Sequence, residues 1–270
     1  VSWSKATEDE FKKQFEWSRK NFEDSKILKT VPVISANGAA QFSEQNLVYV
    51  LSKLISDSNY GWTYGLWNQI SGYLGHTPEL LCDWRQSTEV LKTSALAGTY
   101  LKSESASKEI LADKKIGNEH QIVVDDISEK LTELNYTKQP TKTLELKHLV
   151  HLQTDFQIKI NNLNQAFGIL NKLHPTAALG LYPQQKEYFQ QLRSLQLPFS
   201  RKNFAAPFAY MNQKELLAVA AIRGFNFDKS HIRILSGCGV TAQSNYEAEL
   251  SELKNKRESV VKMMGFVSEI

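Results

Sequence analysis

The stretch from residue 203 to residue 240 constrains the fold most. "NFAAPFAYM", "ELLAVAAIRGF" and "SHIRILSGCGV" are apolar runs of strand length joined by short polar connections. Parallel neighbours need a dozen or more linking residues, so these runs predict three consecutive antiparallel strands. Upstream, "YGWTYGLWN" and "SGYLGHTPELLCDW" predict two strands of an aromatic-rich meander. "TKTLELKHLVHLQTDFQIKI" alternates over much of its length and predicts one long strand. "KILKTVPVI" reads as a short strand in which Pro32 demands an edge or irregular position.

Helical spacing appears between these segments. Thr7 and Glu10 stand at capping-box spacing, and Phe11, Phe15 and Phe22 then predict a helix to about Asp24. Ser43 is placed to cap "EQNLVYVLSKLI". "EHQIVVDDISEKLTEL" is amphipathic through Ile122, Ile127 and Leu131, and "LNQAFGILNKL" has the same period. Pro183 suits the first position of the helix "PQQKEYFQQLRSL", and a last helix starts near Ser244. The polar stretch Ser103 to Asn118 is expected to be an exposed helix or loop. This mixed order of hairpins and helices predicts an α+β fold with antiparallel sheets and helices outside, as one domain over residues 1–270.

With 270 residues, 41% of them hydrophobic, the chain can bury a large core. Its formal charge of +3 is spread through mixed-sign segments, which gives nucleic acid no support and leaves a small anionic ligand compatible. Two cysteines, Cys82 and Cys238, are too few for a disulfide framework. No apolar run reaches membrane-spanning length, and "VSWSKATEDEF" lacks the apolar stretch of a signal peptide. A cytoplasmic protein with no membrane partner is expected.

The last helix carries the clearest chemistry. In "SNYEAELSELKNK", Glu249, Glu252 and Lys256 are three and four residues apart and share one face. The preceding "SGCGV" lets the backbone approach a ligand and leaves N–H groups for an anion. Arg223, at the end of the apolar run "LLAVAAIR", can hold a carboxylate in bidentate fashion. Together they suggest a site for a carboxylate ligand and a hard cation. In "GYLGHTPELL", Glu79 directly follows Pro78 in an otherwise apolar run and reads either as a solvated loop carboxylate or as an acid at a pocket rim.

These motifs resemble, in order, those of the chorismate-utilising enzymes, and within that family the isochorismate synthases. The ordered series is "LKTV" at 28–31, "LGHTPELL", "SALAGT" at 94–99, "EHQIVVDDI" at 119–127, "HLQT" at 151–154, "LHPTAALG" at 173–180, "AIRGF", "SGCGV" and "SNYEAELSELKNK". The resemblance implies Lys29 as general base and Glu79 as general acid. It implies Mg²⁺ held by Glu119 and Glu252 with Glu249 nearby. Arg223, Lys256 and the amides at Gly237 and Gly239 would bind substrate carboxylate, while Gly98, Thr99, His151 and Thr176 line the pocket. "ALAGT" and "HLQT" resemble the branch that adds water to chorismate, so isochorismate is the implied product and no glutaminase subunit is expected. A salicylate synthase, an anthranilate or aminodeoxychorismate synthase component, or a silent chorismate-binding protein are the alternatives. A monomer or weak homodimer is expected, and the product would serve menaquinone, siderophore or salicylate formation. Ala205 and Ala206 stand where the family usually shows a glycine, which is expected to narrow the pocket, and the chain starts closer to the lysine strand than the family does.

Overall fold

The computed structural model describes residues 2–3, 8–24, 26–39, 42–57, 60–196 and 201–265. In chain order it runs β1 (Ser2–Trp3), α1 (Glu8–Glu23), β2 (Lys29–Thr30), β3 (Val33–Ala39), α2 (Glu44–Asp57), β4 (Trp62–Trp67), β5 (Ser71–Thr77) and β6 (Leu80–Arg85). There follow β7 (Val90–Leu101), α3 (Ala106–Ala112), α4 (Lys114–Leu131), β8 (Tyr136–Lys138), β9 (Lys142–Glu145), β10 (Leu149–Lys159), α5 (Leu163–Leu173), β11 (Leu181–Tyr182) and α6 (Lys186–Leu195). The rest is β12 (Pro207–Asn212), β13 (Glu215–Ala220), β14 (Gly224–Asp228), β15 (His231–Gly237), β16 (Val240–Thr241) and α7 (Tyr246–Met264).

These strands form three sheets: β1-β3-β15-β14-β5-β4, then β12-β13-β6-β7-β10-β8 with β9 also on β10, and the short β11-β2-β16. Every described pairing is antiparallel, both across short connections such as β4–β5 and between distant strands such as β3 and β15. The seven-stranded sheet buries Leu91, Phe156 and Ile158 against Val123, Ile127 and Leu131 of α4 and Ala166 and Leu170 of α5. A second core joins Phe225, Ile232 and Ile234 of the six-stranded sheet to Val50 and Leu54 of α2 and Val260 of α7. In a third, Phe11 and Phe15 of α1 pack on Leu250 and Leu253 of α7, with Tyr246 stacked on Phe11 at 5.2 Å between ring centroids. No helix among the described residues is long and apolar enough to cross a membrane.

Local signals locate several helix starts. Ser43 Oγ accepts from Asn46 N at 3.2 Å while Asn46 Oδ1 accepts from Ser43 N at 2.9 Å, a reciprocal cap. The last helix starts at Tyr246 because Asn245 Oδ1 accepts from Ala248 N. Thr7, of the expected capping pair with Glu10, lies outside the described residues.

Five expectations need correction. "SGYLGHTPELLCDW" is two strands, β5 and β6, in different sheets. "ELLAVAAIRGF" is likewise parted between β13 and β14, so three expected strands are β12 to β16 and Arg223 stands between strands rather than ending one. "TKTLELKHLVHLQTDFQIKI" folds back as the β9–β10 hairpin, closed by Leu146 N donating to Leu149 O at 2.8 Å. Pro183 precedes α6, whose N-cap is Gln185. The stretch 103–118 is not wholly exposed: Ala106 and Ile110 are fully buried against Val150 and Leu152, because one face of α3 packs on β10.

Candidate active site

The site forms where the chain passes from one sheet to another. β2 is the middle strand of the small sheet, with Lys29 opposite Tyr182 and Thr241. Val31 and Pro32 then carry the chain into β3 of the six-stranded sheet, so Pro32, which has no N–H to donate, sits between ladders. Lys29 is 1% exposed, and its Nζ lies 3.0 Å from Glu119 Oε1 on α4.

Pro78 and Glu79 link β5 to β6, and so the six-stranded sheet to the seven-stranded one. Residues 221–223 make the return between β13 and β14. The two links touch: Ala220 N donates to Glu79 O at 3.0 Å, and His76 N donates to Arg223 O at 3.2 Å. Glu79 is 5% exposed, and burial pushes its carboxyl up to about 7 against the opposing pull of Lys29, Lys256 and Arg223. A solvated loop carboxylate would show neither. Arg223 holds a left-handed φ of 56°, a strained state for a residue with a Cβ and one that clusters at functional sites. Its guanidinium donates to His151 Nε2 at 3.3 Å and to Ser259 Oγ at 3.4 Å. Burial draws its pKa down to about 10, which leaves it charged at neutral pH.

His151 stands opposite Thr99, whereas Leu152 stands opposite Ala97, so Gly98 is the extra residue of a β-bulge. Its φ of 78° demands glycine, and a Cβ there would overlap Ile116. The bulge turns the Gly98 carbonyl to accept from His151 Nδ1 at 3.0 Å. Burial, then the Arg223 charge, pulls the His151 pKa down to about 3, so the ring is neutral with its Nε2 lone pair toward the guanidinium.

The turn from β15 to β16 supplies Gly237, Cys238 and Gly239. A Cβ at Gly239 would overlap Glu119 Oε1, so glycine is what lets the carboxylate lie against the turn. From α7, Lys256 Nζ donates to Glu252 Oε1 at 2.6 Å and to Gly237 O at 2.9 Å. Burial works most strongly against the Lys256 ammonium, but Glu252 and Cys238 together more than offset it and the pKa is raised. Glu249, also buried, bonds Lys115 Nζ at 2.8 Å.

A cavity of about 80 Å³ is lined by Lys29, Glu79, Gly98, Thr99, Glu119, His151, Arg223, Gly237, Gly239, Glu252 and Lys256. Two expected residues are not in its wall. Glu249 is turned to Lys115, and Thr176 is buried with its hydroxyl unpaired while Ala178 and Leu179 reach the cavity instead. Cys238 and Phe204 were not foreseen; both belong to quoted motifs, but nothing in their residue type marks them. The charged wall sets three cations, Lys29, Arg223 and Lys256, beside three acids, of which Glu79, raised to about 7, is partly protonated near neutral pH. Among the described residues no three Asp, Glu, His or Cys side chains gather closely enough to hold a metal ion alone. Glu119 and Glu252 nevertheless offer an oxygen donor set that fits a hard cation taking its other ligands from substrate and water.

A family model described as chorismate binding enzyme matches residues 2–265. The isochorismate synthase MenF of Escherichia coli K12 is 27% identical over 194 residues, covering 69% of this chain and 44% of that protein. MenF of Bacillus subtilis 168 is 26% identical over 226 residues, with 80% and 47% covered. The chain thus spans about half the length of the curated relatives it matches. The solved structure of the menaquinone-specific isochorismate synthase MenF from Escherichia coli superimposes with a TM-score of 0.84 at 21% identity, covering 98% of this chain and 63% of that one. The fold is shared.

Proposed function

The chain belongs to the chorismate-binding enzyme family, and on that premise we propose that it converts chorismate to isochorismate. In this reading a water adds to the ring, the ring double bonds shift, and the original hydroxyl departs as water. Lys29 takes the proton from the attacking water. Glu79 gives one to the leaving oxygen. The observation that carries the reading is the pairing of these two side chains in one cavity, with Glu79 buried and raised to about 7, where a carboxyl can be a proton donor near neutral pH. The similarity to isochorismate synthases supports water as the nucleophile.

Charge supports the substrate class. With Glu79 protonated, the cavity's cations outnumber its anions by one, which favours a dianion such as chorismate over a neutral ligand. Arg223 and Lys256 bind carboxylate, the Gly237–Gly239 turn presents its backbone to the same ligand, and Gly98, Thr99 and His151 line the same cavity. Glu119 and Glu252 would hold Mg²⁺, which supplies Lewis-acid neutralisation of the substrate's carboxylate charge when bound. To take up that role, each carboxylate must loosen its present bond to Lys29 or Lys256.

The test is incubation of the protein with chorismate, with and without Mg²⁺, followed by chromatography. Magnesium-dependent isochorismate is the expected result. Salicylate with pyruvate, or anthranilate when ammonia is supplied, would move the chain to another branch, and unchanged chorismate with tight binding would make it a binding protein.

A further inference from the structure

The backbone that follows Lys29 is held by side chains rather than by a sheet. The ladder of β2 ends at Thr30 and that of β3 begins at Val33, so Val31 and Pro32 cross between sheets. Val31 and Val33 are buried, and a buried backbone group left without a partner costs free energy. Three side chains meet that need. Ser18 Oγ of α1 and Thr30 Oγ1 share a hydrogen bond of 2.7 Å. Gln14, one turn earlier on α1, spans Val33: its Nε2 donates to Val33 O and its Oε1 accepts from Val33 N, both at 2.9 Å. Arg201 Nη2 donates to Val31 O at 2.8 Å.

Two further bonds from Arg201 tie this crossing to the rest of the cavity wall. Its Nη1 donates to Leu179 O at 3.2 Å and its Nε to Gln196 Oε1 at 2.5 Å. Gln196 Nε2 in turn donates to Gln14 Oε1 at 2.6 Å, so the bonds join into one network. Gln14 and Gln196 are both buried. Val31 and Leu179 line the catalytic cavity, as does Phe204, three residues beyond Arg201, which packs against Val31, Val33 and Leu235. The same segment is pinned to the return that carries Arg223: Ala205 N donates to Ala221 O and Ala221 N to Ala206 O, each at 2.9 Å. Burial, then the Arg193 charge, lowers the Arg201 pKa to about 10, which leaves the guanidinium charged at neutral pH. A charged donor makes the stronger hydrogen bonds, and a planar fork holds several acceptors in fixed relation.

We propose that Arg201 is a positioning residue for the reaction, its guanidinium holding the Val31 carbonyl in register with the Leu179 wall and so fixing where the Lys29 amine meets the attacking water. Arg201 itself is not in the cavity wall. The inference rests on the reading of Lys29 as the base in isochorismate formation and adds to it the device that aims the base. Loss of the brace displaces Lys29 without removing a group that binds carboxylate, so it acts on turnover and spares affinity. A misplacement of about 1 Å can cost about a hundredfold in rate.

The experiment measures kcat for isochorismate formation and, by calorimetry, the chorismate Kd, for the wild type, Arg201→Gln and Arg201→Lys. Hydrogen exchange over residues 28–35 is followed by mass spectrometry in the same proteins. Arg193→Gln is the control, an equal charge loss at an exposed arginine whose field Arg201 feels. Arg201→Gln is expected to exchange faster over 28–35 and to lose about thirtyfold in kcat, with Kd within about twofold of wild type. Arg201→Lys, which keeps the charge but lacks the fork, should recover part of that loss, and the control should follow the wild type. A folded Arg201→Gln with wild-type kcat, or with unchanged exchange over 28–35, would overturn the positioning role. So would a kcat and an affinity that fall by the same factor, the mark of a generally loosened fold. If Arg201→Gln does not fold, Arg201→Lys decides by the same criteria. A wild type that makes no isochorismate would overturn the chorismate reading itself, and this role with it.

Discussion

Arg223 Nη2 points at His151 Nε2 across 3.3 Å, and the imidazole accepts that bond because its other nitrogen donates to the Gly98 carbonyl. The bulge at Gly98 thus sets the tautomer of a histidine that in turn orients a guanidinium. His151→Leu removes the acceptor. Hydrogen bonds to charged groups contribute about 1.5–3 kcal/mol, so chorismate affinity should weaken about tenfold or more in calorimetry. An unchanged affinity would mean that Arg223 needs no orientation.

Glu79 gives a pH dependence whose sign can be worked out. Its carboxyl titrates near 4.5 when unfolded and near 7 when folded, so the folded state holds the extra proton between those values. That contribution is complete below about 4.5 and is lost as pH rises through about 7. Glu79→Gln cannot ionise, and relative to wild type it should gain on the order of 1–3 kcal/mol in denaturation between pH 5 and pH 8. Its turnover should fall roughly a hundredfold. Equal stability differences at the two pH values would show a freely solvated carboxylate.

Lys29→Arg separates base from cation. The guanidinium keeps a positive charge beside Glu119 but offers no neutral base near pH 7. Isochorismate formation should fall at least about a hundredfold while chorismate still binds. Near-normal turnover would leave Lys29 only an ion-pair partner.

Chelation should abolish product formation without shifting the thermal transition, because Lys29 and Lys256 already hold the two cavity carboxylates. In calorimetry Mg²⁺ should bind about tenfold more tightly with chorismate present than without, and Glu252→Gln should remove that gain. A chelator-lowered transition would make the metal structural.

The two glycines of the turn should differ sharply. A Cβ at Gly239 would overlap Glu119 Oε1 and stand 2.7 Å from Lys29 Cε, whereas at Gly237 its nearest neighbour is Val31 Cγ1 at 3.1 Å. Gly239→Ala should destabilise by about 1–3 kcal/mol and break the Lys29–Glu119 pair, with Gly237→Ala milder in the same denaturation experiment. Equal costs would show that the turn can move away.

Much of this was legible in one dimension. Phe11, Phe15 and Phe22 mark the buried face of α1, as Ile127 and Leu131 do for α4, because a helix that buries one stripe must repeat its apolar residues at the helical period. The same rule placed Glu252 and Lys256 together, since side chains four apart on a helix are neighbours wherever that helix packs. Short connections likewise implied antiparallel strands. The exchange of strands between sheets was not legible. "SGYLGHTPELLCDW" and "ELLAVAAIRGF" keep their apolar character through Pro78 and Ile222, because both sides of each bend are buried, each in a different sheet. Alternation records which face is covered and not which sheet covers it. Only tertiary structure brings those two bends together, buries Glu79 beside Arg223, and lays Glu119 of α4 against Lys29 of a strand ninety residues earlier. Burial and charge proximity are properties of that meeting in space, and they decide whether an ordinary glutamate carries a proton at neutral pH.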